Sequence, residues 1–253
     1  MDLLLIRNAT IKLTYAGKVF LIDPYLGKKF SQPSFAGFSK NPMVDLPISI
    51  QEILSGVDMV LVSHCHPDHF DRTAEVTIAK DTPIGCQPEE LNILISMGFT
   101  KVRAMESQFT FGDISLTRTI GQHGHGDRLT MMGTVSGFIF QHKSEPTLYW
   151  LGDTVLNDSI KENIINFNPN ILVTHSCGAL WSKNEFSVIM DEKQTVEVCA
   201  LAPKAKIIAT HMETLDLATI TRKELRVYAN NYGISDSQLL IPLDGEKLTF
   251  NLE

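Results

Sequence analysis

The sequence predicts a layered α/β protein, with sheets at the centre and helices outside. Apolar strand-like runs dominate the middle of the chain, helical segments flank both halves, and several of those segments carry explicit helix-start signals. The chain opens with LLLIRN, TIKLTYAG and KVFLIDPY, three strand-like runs, with Ala16-Gly17 as a hairpin turn between the last two. From Leu26 to Pro47 it is irregular and rich in Gly, Ser, Pro and Phe. A loop of that length in a compact domain is often functional. Ser49 and Glu52 form a capping-box pattern at the start of SIQEIL.

Alternation follows. DMVLVSH reads as a buried strand, Asp71 caps the helix RTAEVTIAK, TPIGC is a short strand, and Pro88 opens the helix EELNILISMG. KVRAM, DISLTRTI, TVSGFIFQH and TLYWLGD read as strands, then DSIKENIINF as a helix and NILVTH as a strand. The helix DEKQTVEVCAL precedes the strand KAKIIATH, and a second capping box, Thr221 to Glu224, opens RKELRVYANNYG. QLLIP and KLTFNLE are short closing strands. Residues 1–253 read as a single domain, with no repeat of solenoid length.

Composition limits the function classes. Of 253 residues, 43% are hydrophobic and 20% charged, and the net charge is -7. An acidic chain has no general attraction for phosphate backbones or anionic lipid, so no nucleic-acid partner is expected. The apolar start lacks a basic flank and no stretch is long enough to span a bilayer, so no membrane partner is expected and the cytoplasm is the simplest compartment. Cys65, Cys86, Cys177 and Cys199 have no CxxC spacing, which argues against a zinc ribbon or a disulfide framework.

The sharpest signal is His64-Cys65-His66-Pro67-Asp68-His69, directly after an apolar strand. The chain has eight histidines, and three of them fall in this hexapeptide. Imidazole nitrogen and carboxylate oxygen suit zinc and similar first-row metals. Alternation of side chains turns Cys65 away if His64 and His66 point inward. Other strands end the same way: DISLTRTI runs into Gly121-Gln122-His123-Gly124-His125-Gly126-Asp127, TLYWL into Gly152-Asp153-Thr154, and KAKIIAT into His211. Four strands ending in metal-capable residues are the layout of ligands projecting from one sheet edge.

HCHPDH resembles the HxHxDH signature of the metallo-β-lactamase-fold metallohydrolases. The later His, the Gly-Asp-Thr and the final His keep that family's order, and KVFLIDPYL resembles its early strand. The resemblance spans about Ile11 to His211, and the short form is most similar to the ascorbate-phosphate lactonase-like branch. It implies an αββα sandwich of two mixed sheets flanked by helices. It also implies two divalent metal ions, zinc first, with manganese or iron as alternatives. His64, His66 and His123 would hold one ion, Asp68, His69 and His211 the other, and Asp153 would bridge them. Asp23 would sit behind the ligands and orient a histidine.

Such a site makes a shared hydroxide nucleophile available at neutral pH and polarises the scissile bond of an ester, lactone, amide or phosphodiester in a small-molecule substrate. Asp68 is the candidate for handling the proton. The rival readings are an iron-dependent oxidoreductase, a metal-dependent nuclease and a non-enzymatic metal-stabilised binding protein; an oligomer is compatible with all of them. His125, near Asp127 and Arg128, is expected to face the substrate. His175 is either a pocket residue or a buried histidine with a partner. Asp191 is most simply an N-terminal helix acid, and His142 a surface residue. GQHGHG is not a dinucleotide fingerprint. Trp181, Phe186, Met131 and Met132 are pocket candidates, although exposed aromatics and core methionines are commoner. Specificity is expected in Leu26–Pro47, His125–Met132 and Ser176–Phe186.

Overall fold

A computed structural model describes residues 1–181 and 186–252. Among these, two seven-stranded sheets form. The first sheet contains β1 (Asp2–Arg7), β2 (Thr10–Tyr15), β3 (Lys18–Ile22), β4 (Met59–Val62), β5 (Ile84–Cys86), β6 (Val102–Ala104) and β14 (Lys247–Thr249), in the order β14-β1-β2-β3-β4-β5-β6. The second contains β7 (Gln108–Phe111), β8 (Ile114–Ile120), β9 (Ser136–His142), β10 (Glu145–Trp150), β11 (Ile171–His175), β12 (Lys206–Thr210) and β13 (Leu239–Leu240), in the order β13-β12-β11-β10-β9-β8-β7. Each is mixed. β1 to β3 pair antiparallel and β3 to β6 parallel; β7 to β10 pair antiparallel and β10 to β13 parallel.

The period-two pattern of the strands explains the layering. Leu3, Leu5, Phe20 and Ile22 of the first sheet share a core with Phe138, Phe140, Trp150 and Ile208 of the second. The alternate residues Ile6, Leu21, Val60 and Val62 pack outward on α1 (Ile50–Leu54), α2 (Arg72–Thr77) and α3 (Leu91–Ser96) through Ile53, Ala74 and Leu94. On the far side, Tyr149, Leu172 and Ile207 pack on α5 (Asp158–Phe167), α6 (Glu192–Leu201) and α7 (Arg222–Asn231) through Ile160, Val198 and Leu225. The result is the expected αββα sandwich.

The helix starts follow the sequence. Both capping boxes form, and Asp71 and Asp191 accept from Ala74 N and Gln194 N. Two helices are shorter than expected: α2 stops at Thr77 because Ile78 is extended, and Pro88–Glu90 is a 3₁₀ turn before α3. The turn after His125 holds an unanticipated helix, α4 (Asp127–Met132). No helix among the described residues is long and apolar enough to cross a membrane.

The Leu26–Pro47 segment has a fixed course despite its lack of strands. The buried Arg7 guanidinium donates to the carbonyls of Tyr25, Gly27 and Val44, and Asp71 accepts from Leu26 N and Gly27 N. Gln32 reaches back to the Pro67 carbonyl. The loop is thereby tied to the histidine-rich turn.

Candidate metal centre

Six strand ends deliver the site. Asp23 follows β3, His64 follows β4, His123 follows β8, Asp153 follows β10, His175 ends β11 and His211 follows β12. Because β3 and β4 run parallel, as do β10, β11 and β12, their C-terminal ends open on one edge. Asp153 needs the glycine before it: Gly152 has φ +74°, and a Cβ there would lie 2.5 Å from the Ser136 carbonyl oxygen. Asn8, Asp23 and His211 also take left-handed backbone, with φ of 57°, 47° and 64°. All three are residue types that tolerate it, and each turns a side chain into the site.

Two groups of ligand atoms result. One is His64, His66 and His123; the other is Asp68, His69, Asp153 and His211; within each, the atoms lie within 4.8 Å of one another. Asp153 stands between them. Its Oδ2 is 3.1 Å from His69 Nε2, 3.4 Å from His123 Nε2 and 4.0 Å from His64 Nε2. His211 Nε2 is 3.1 Å from Asp68 Oδ2 and 3.7 Å from Asp153 Oδ1.

Hydrogen bonds behind the ligands fix which nitrogen faces inward. Asp23 accepts from Ser63 N and from Ser63 Oγ at 2.7 Å, so the hydroxyl in turn accepts from His64 Nδ1 at 2.9 Å. That leaves the lone pair of His64 on Nε2, a buried atom with no hydrogen-bond partner. Asp23 Oδ2 also accepts from His69 Nδ1 at 2.7 Å, and the Val188 carbonyl accepts from His123 Nδ1 at 2.9 Å. His211 Nδ1 faces the Cys177 sulfur at 3.6 Å. In each case Nε2 is turned to the cluster. The residues fit divalent cations: four histidines are pre-oriented, and two buried carboxylates call for positive charge.

The electrostatics agree. Burial and neighbouring histidines hold His64 well below its ordinary value, burial lowers His123, and burial brings His175 down to about 4. Burial opposes charge on His69 too, but Asp153, Asp68 and Asp23 outweigh it and push it up to about 10. His211 is raised for the same reason, by Asp153 and Asp68 against burial. Both carboxylates stay ionised despite burial, held low chiefly by His69 and His211.

A cavity of about 320 Å³ opens over the site. Its floor includes His66, Asp68, His123, Asp153 and His211, and its walls include Phe35, Met131, Met132, Trp181, Leu215 and Leu217. Met131, Met132 and Trp181 are therefore wall residues, although commoner roles were open to them. Phe186 is exposed away from this cavity. Residues 182–185 of the expected specificity segment Ser176–Phe186 lie outside those described.

His125 lies outside the residues that line this cavity. Gly124 has φ +102° and swings the next residue outward, so His125 is exposed and packs edge-on to Phe186 in a separate groove. His175 is the buried histidine with a partner: Nδ1 donates to Asp153 Oδ1 at 2.6 Å. Cys65 belongs to neither ligand group and packs partly against the core under the first sheet. His142 caps its own turn at Ser144. Ser63, Asn8 and Cys177 were missed. Asn8 Nδ2 reaches the Asp68 carbonyl and carboxylate, yet in the sequence it reads as an ordinary turn residue. Ser63 had a usable signal, its place between a strand and the first ligand.

Comparison with known proteins converges on this geometry. The model of the β-lactamase superfamily domain matches residues 18–212. UPF0173 protein YddR of Bacillus subtilis is 40% identical over 99% of this chain and 100% of its own length. A possible metal-dependent hydrolase from Veillonella parvula superposes with a TM-score of 0.95 at 36% identity, covering 99% of both chains. Isothiocyanate hydrolase from Delia radicum gut bacteria superposes with a TM-score of 0.95 at 36% identity, covering 100% of both chains. With its strand-end His/Asp cluster and its two mixed sheets, this chain belongs to the β-lactamase superfamily, in the UPF0173 family, and has the metallo-β-lactamase fold.

Proposed function

We propose that this chain is a metal-dependent hydrolase with two divalent cations, zinc first, acting on a small uncharged molecule with an apolar tail, and that isothiocyanates are the substrate class. The observation that carries the reading is the contrast within the cavity. Its floor is the His/Asp cluster, its walls are apolar, and among the described residues no lysine or arginine lines it. Among the described residues a phosphodiester or carboxylate would find no lysine or arginine to pair with there, whereas a neutral group loses little on entering. The same contrast weighs against the nuclease reading. The similarity to an isothiocyanate hydrolase along the whole chain supports the choice of substrate.

In this reading His64, His66 and His123 hold one cation, Asp68, His69 and His211 the other, and Asp153 faces both. Cations bound there supply Lewis acidity that lowers the pKa of water and polarises the electrophilic carbon. The protein's own groups do the rest. Asp68, in the cavity floor and steadied by Asn8, takes the proton from the attacking water and returns it. The water oxygen bonds to the central carbon of R–N=C=S and a proton reaches nitrogen. The C–N bond of the resulting thiocarbamic acid then breaks as the second proton moves to nitrogen. The products are R–NH₂ and O=C=S, with no change in oxidation state. The apolar walls hold R and exclude bulk water.

The test is turnover by zinc- and manganese-loaded protein on alkyl and aryl isothiocyanates, a lactone, an anilide and a phosphodiester. Equimolar amine and carbonyl sulfide from the isothiocyanates is the expected result. Turnover of the phosphodiester alone would overturn the substrate class.

A further inference from the structure

We propose that Asp216 is a positioning residue that clamps the Ser34–Asn41 loop and thereby sets one wall of the substrate cavity. This rests on the cavity being the substrate site. Asp216 lies five residues after His211, in the segment that also contributes Leu215 and Leu217 to the wall. Its carboxylate accepts from a single loop. Oδ1 takes Phe35 N at 3.0 Å and Asn41 Nδ2 at 2.8 Å. Oδ2 takes Ser34 Oγ, Ala36 N at 3.2 Å, Phe38 N at 3.1 Å and Ser39 N at 3.2 Å. Asn41 Oδ1 closes the ring by accepting from Asp216 N at 2.9 Å. Burial works against the charge, but the bonds from Ser34, Asn41, Phe35 and Ser39 outweigh it and hold the carboxyl far below the usual range.

The consequence is geometric. Phe35, on the clamped loop, and Leu215 and Leu217, on the clamping segment, belong to one hydrophobic cluster and line the same cavity. One carboxylate therefore joins a ligand-bearing segment to a substrate-bearing loop. The bonding pattern also makes an isosteric replacement informative. Both oxygens receive donors, so Asn in either orientation sets an NH₂ against an N–H. A residue that merely filled space would tolerate Asn; a clamp would not.

The experiment compares wild type, Asp216→Asn, Asp216→Ala and Phe35→Ala as metal-loaded protein. Amide exchange over residues 34–41, metal content, binding of the neutral fluorophore N-phenyl-1-naphthylamine, and KM and kcat for allyl and phenethyl isothiocyanate are measured. Both Asp216 variants should exchange the loop amides at least tenfold faster with metal content unchanged. KM for the phenethyl compound should rise at least fivefold, more than for the allyl compound, with kcat within threefold. Phe35→Ala should reproduce the KM pattern without the exchange of the whole loop. If the protein turns over neither isothiocyanate, the proposed substrate fails, and exchange together with fluorophore affinity still decides the clamp. Unchanged exchange in Asp216→Asn, or loss of metal with KM unaltered, would overturn it. Should Asp216→Ala not fold, Asp216→Asn carries the same comparison.

Discussion

His175 Nδ1 donates to Asp153 Oδ1 at 2.6 Å, while the other oxygen of that carboxylate, Oδ2, lies within 4.0 Å of histidines from both ligand groups. The bond sets the rotation of the carboxylate. His175 is itself wedged edge-on against Trp150, so the carboxylate is held by a rigid partner. Replacing a group that orients a metal ligand typically costs about 10–100-fold in affinity. His175→Ala should weaken metal binding by that order while far-UV circular dichroism stays native. A competition titration with a colorimetric chelator measures it, and wild-type affinity would remove His175 from the account.

Asp153 should be the more severe position. Its Oδ2 faces His69 in one group and His64 and His123 in the other. Asp153→Asn removes the charge that offsets two cations and should leave at most one equivalent bound, with activity reduced by about 10³-fold or more, the order of about 4 kcal/mol in the barrier. Full metal content in that variant would mean that Asp153 does not serve both ions.

The two histidines of the glycine-rich turn should separate cleanly. His123 is buried with its Nδ1 anchored on Val188, whereas His125 is exposed against Phe186. His123→Ala should loosen one metal. His125→Ala should keep both, with kcat/KM within about threefold, a cost below about 0.7 kcal/mol. Loss of metal from His125→Ala would show that this turn rearranges on binding.

His123 joins the His/Asp cluster while His125 points elsewhere for a physical reason. A residue just past a strand inherits its direction from the sheet, so His64, Asp153 and His211 could be placed from the pattern of strand ends. Past Gly124 the chain takes a positive φ that no local pattern announces, and sequence proximity to Asp127 and Arg128 pointed the wrong way. The sandwich was readable for a similar reason, since alternation in β1, β3 and β4 sorts residues such as Leu3 and Ile6 to opposite faces. The partners of Ser63 and Asp216 were not legible in the sequence. Their roles depend on partners far along the chain, Asp23 and the Ser34–Asn41 loop, which only the tertiary fold brings to them.

Metal removal should destabilise the fold. Asp68 and Asp153 converge with His64, His66, His69, His123 and His211, and both carboxylates are buried. A ligand present at a hundred times its Kd stabilises by about 2.7 kcal/mol per site. Dialysis against a strong chelator should therefore lower Tm by several degrees, and zinc or manganese should restore it. A Tm indifferent to chelation, in protein shown to have lost its metal, would contradict this coupling.

Seven residues, His64, His66, Asp68, His69, His123, Asp153 and His211, are expected to hold two cations. Elemental analysis of protein purified without chelators, followed by titration of the chelator-treated protein with zinc, measures this most directly. Close to two equivalents per chain and two resolvable binding events are expected, the second abolished in Asp153→Asn. A single tightly bound ion, with no second site on titration to millimolar zinc, would contradict it.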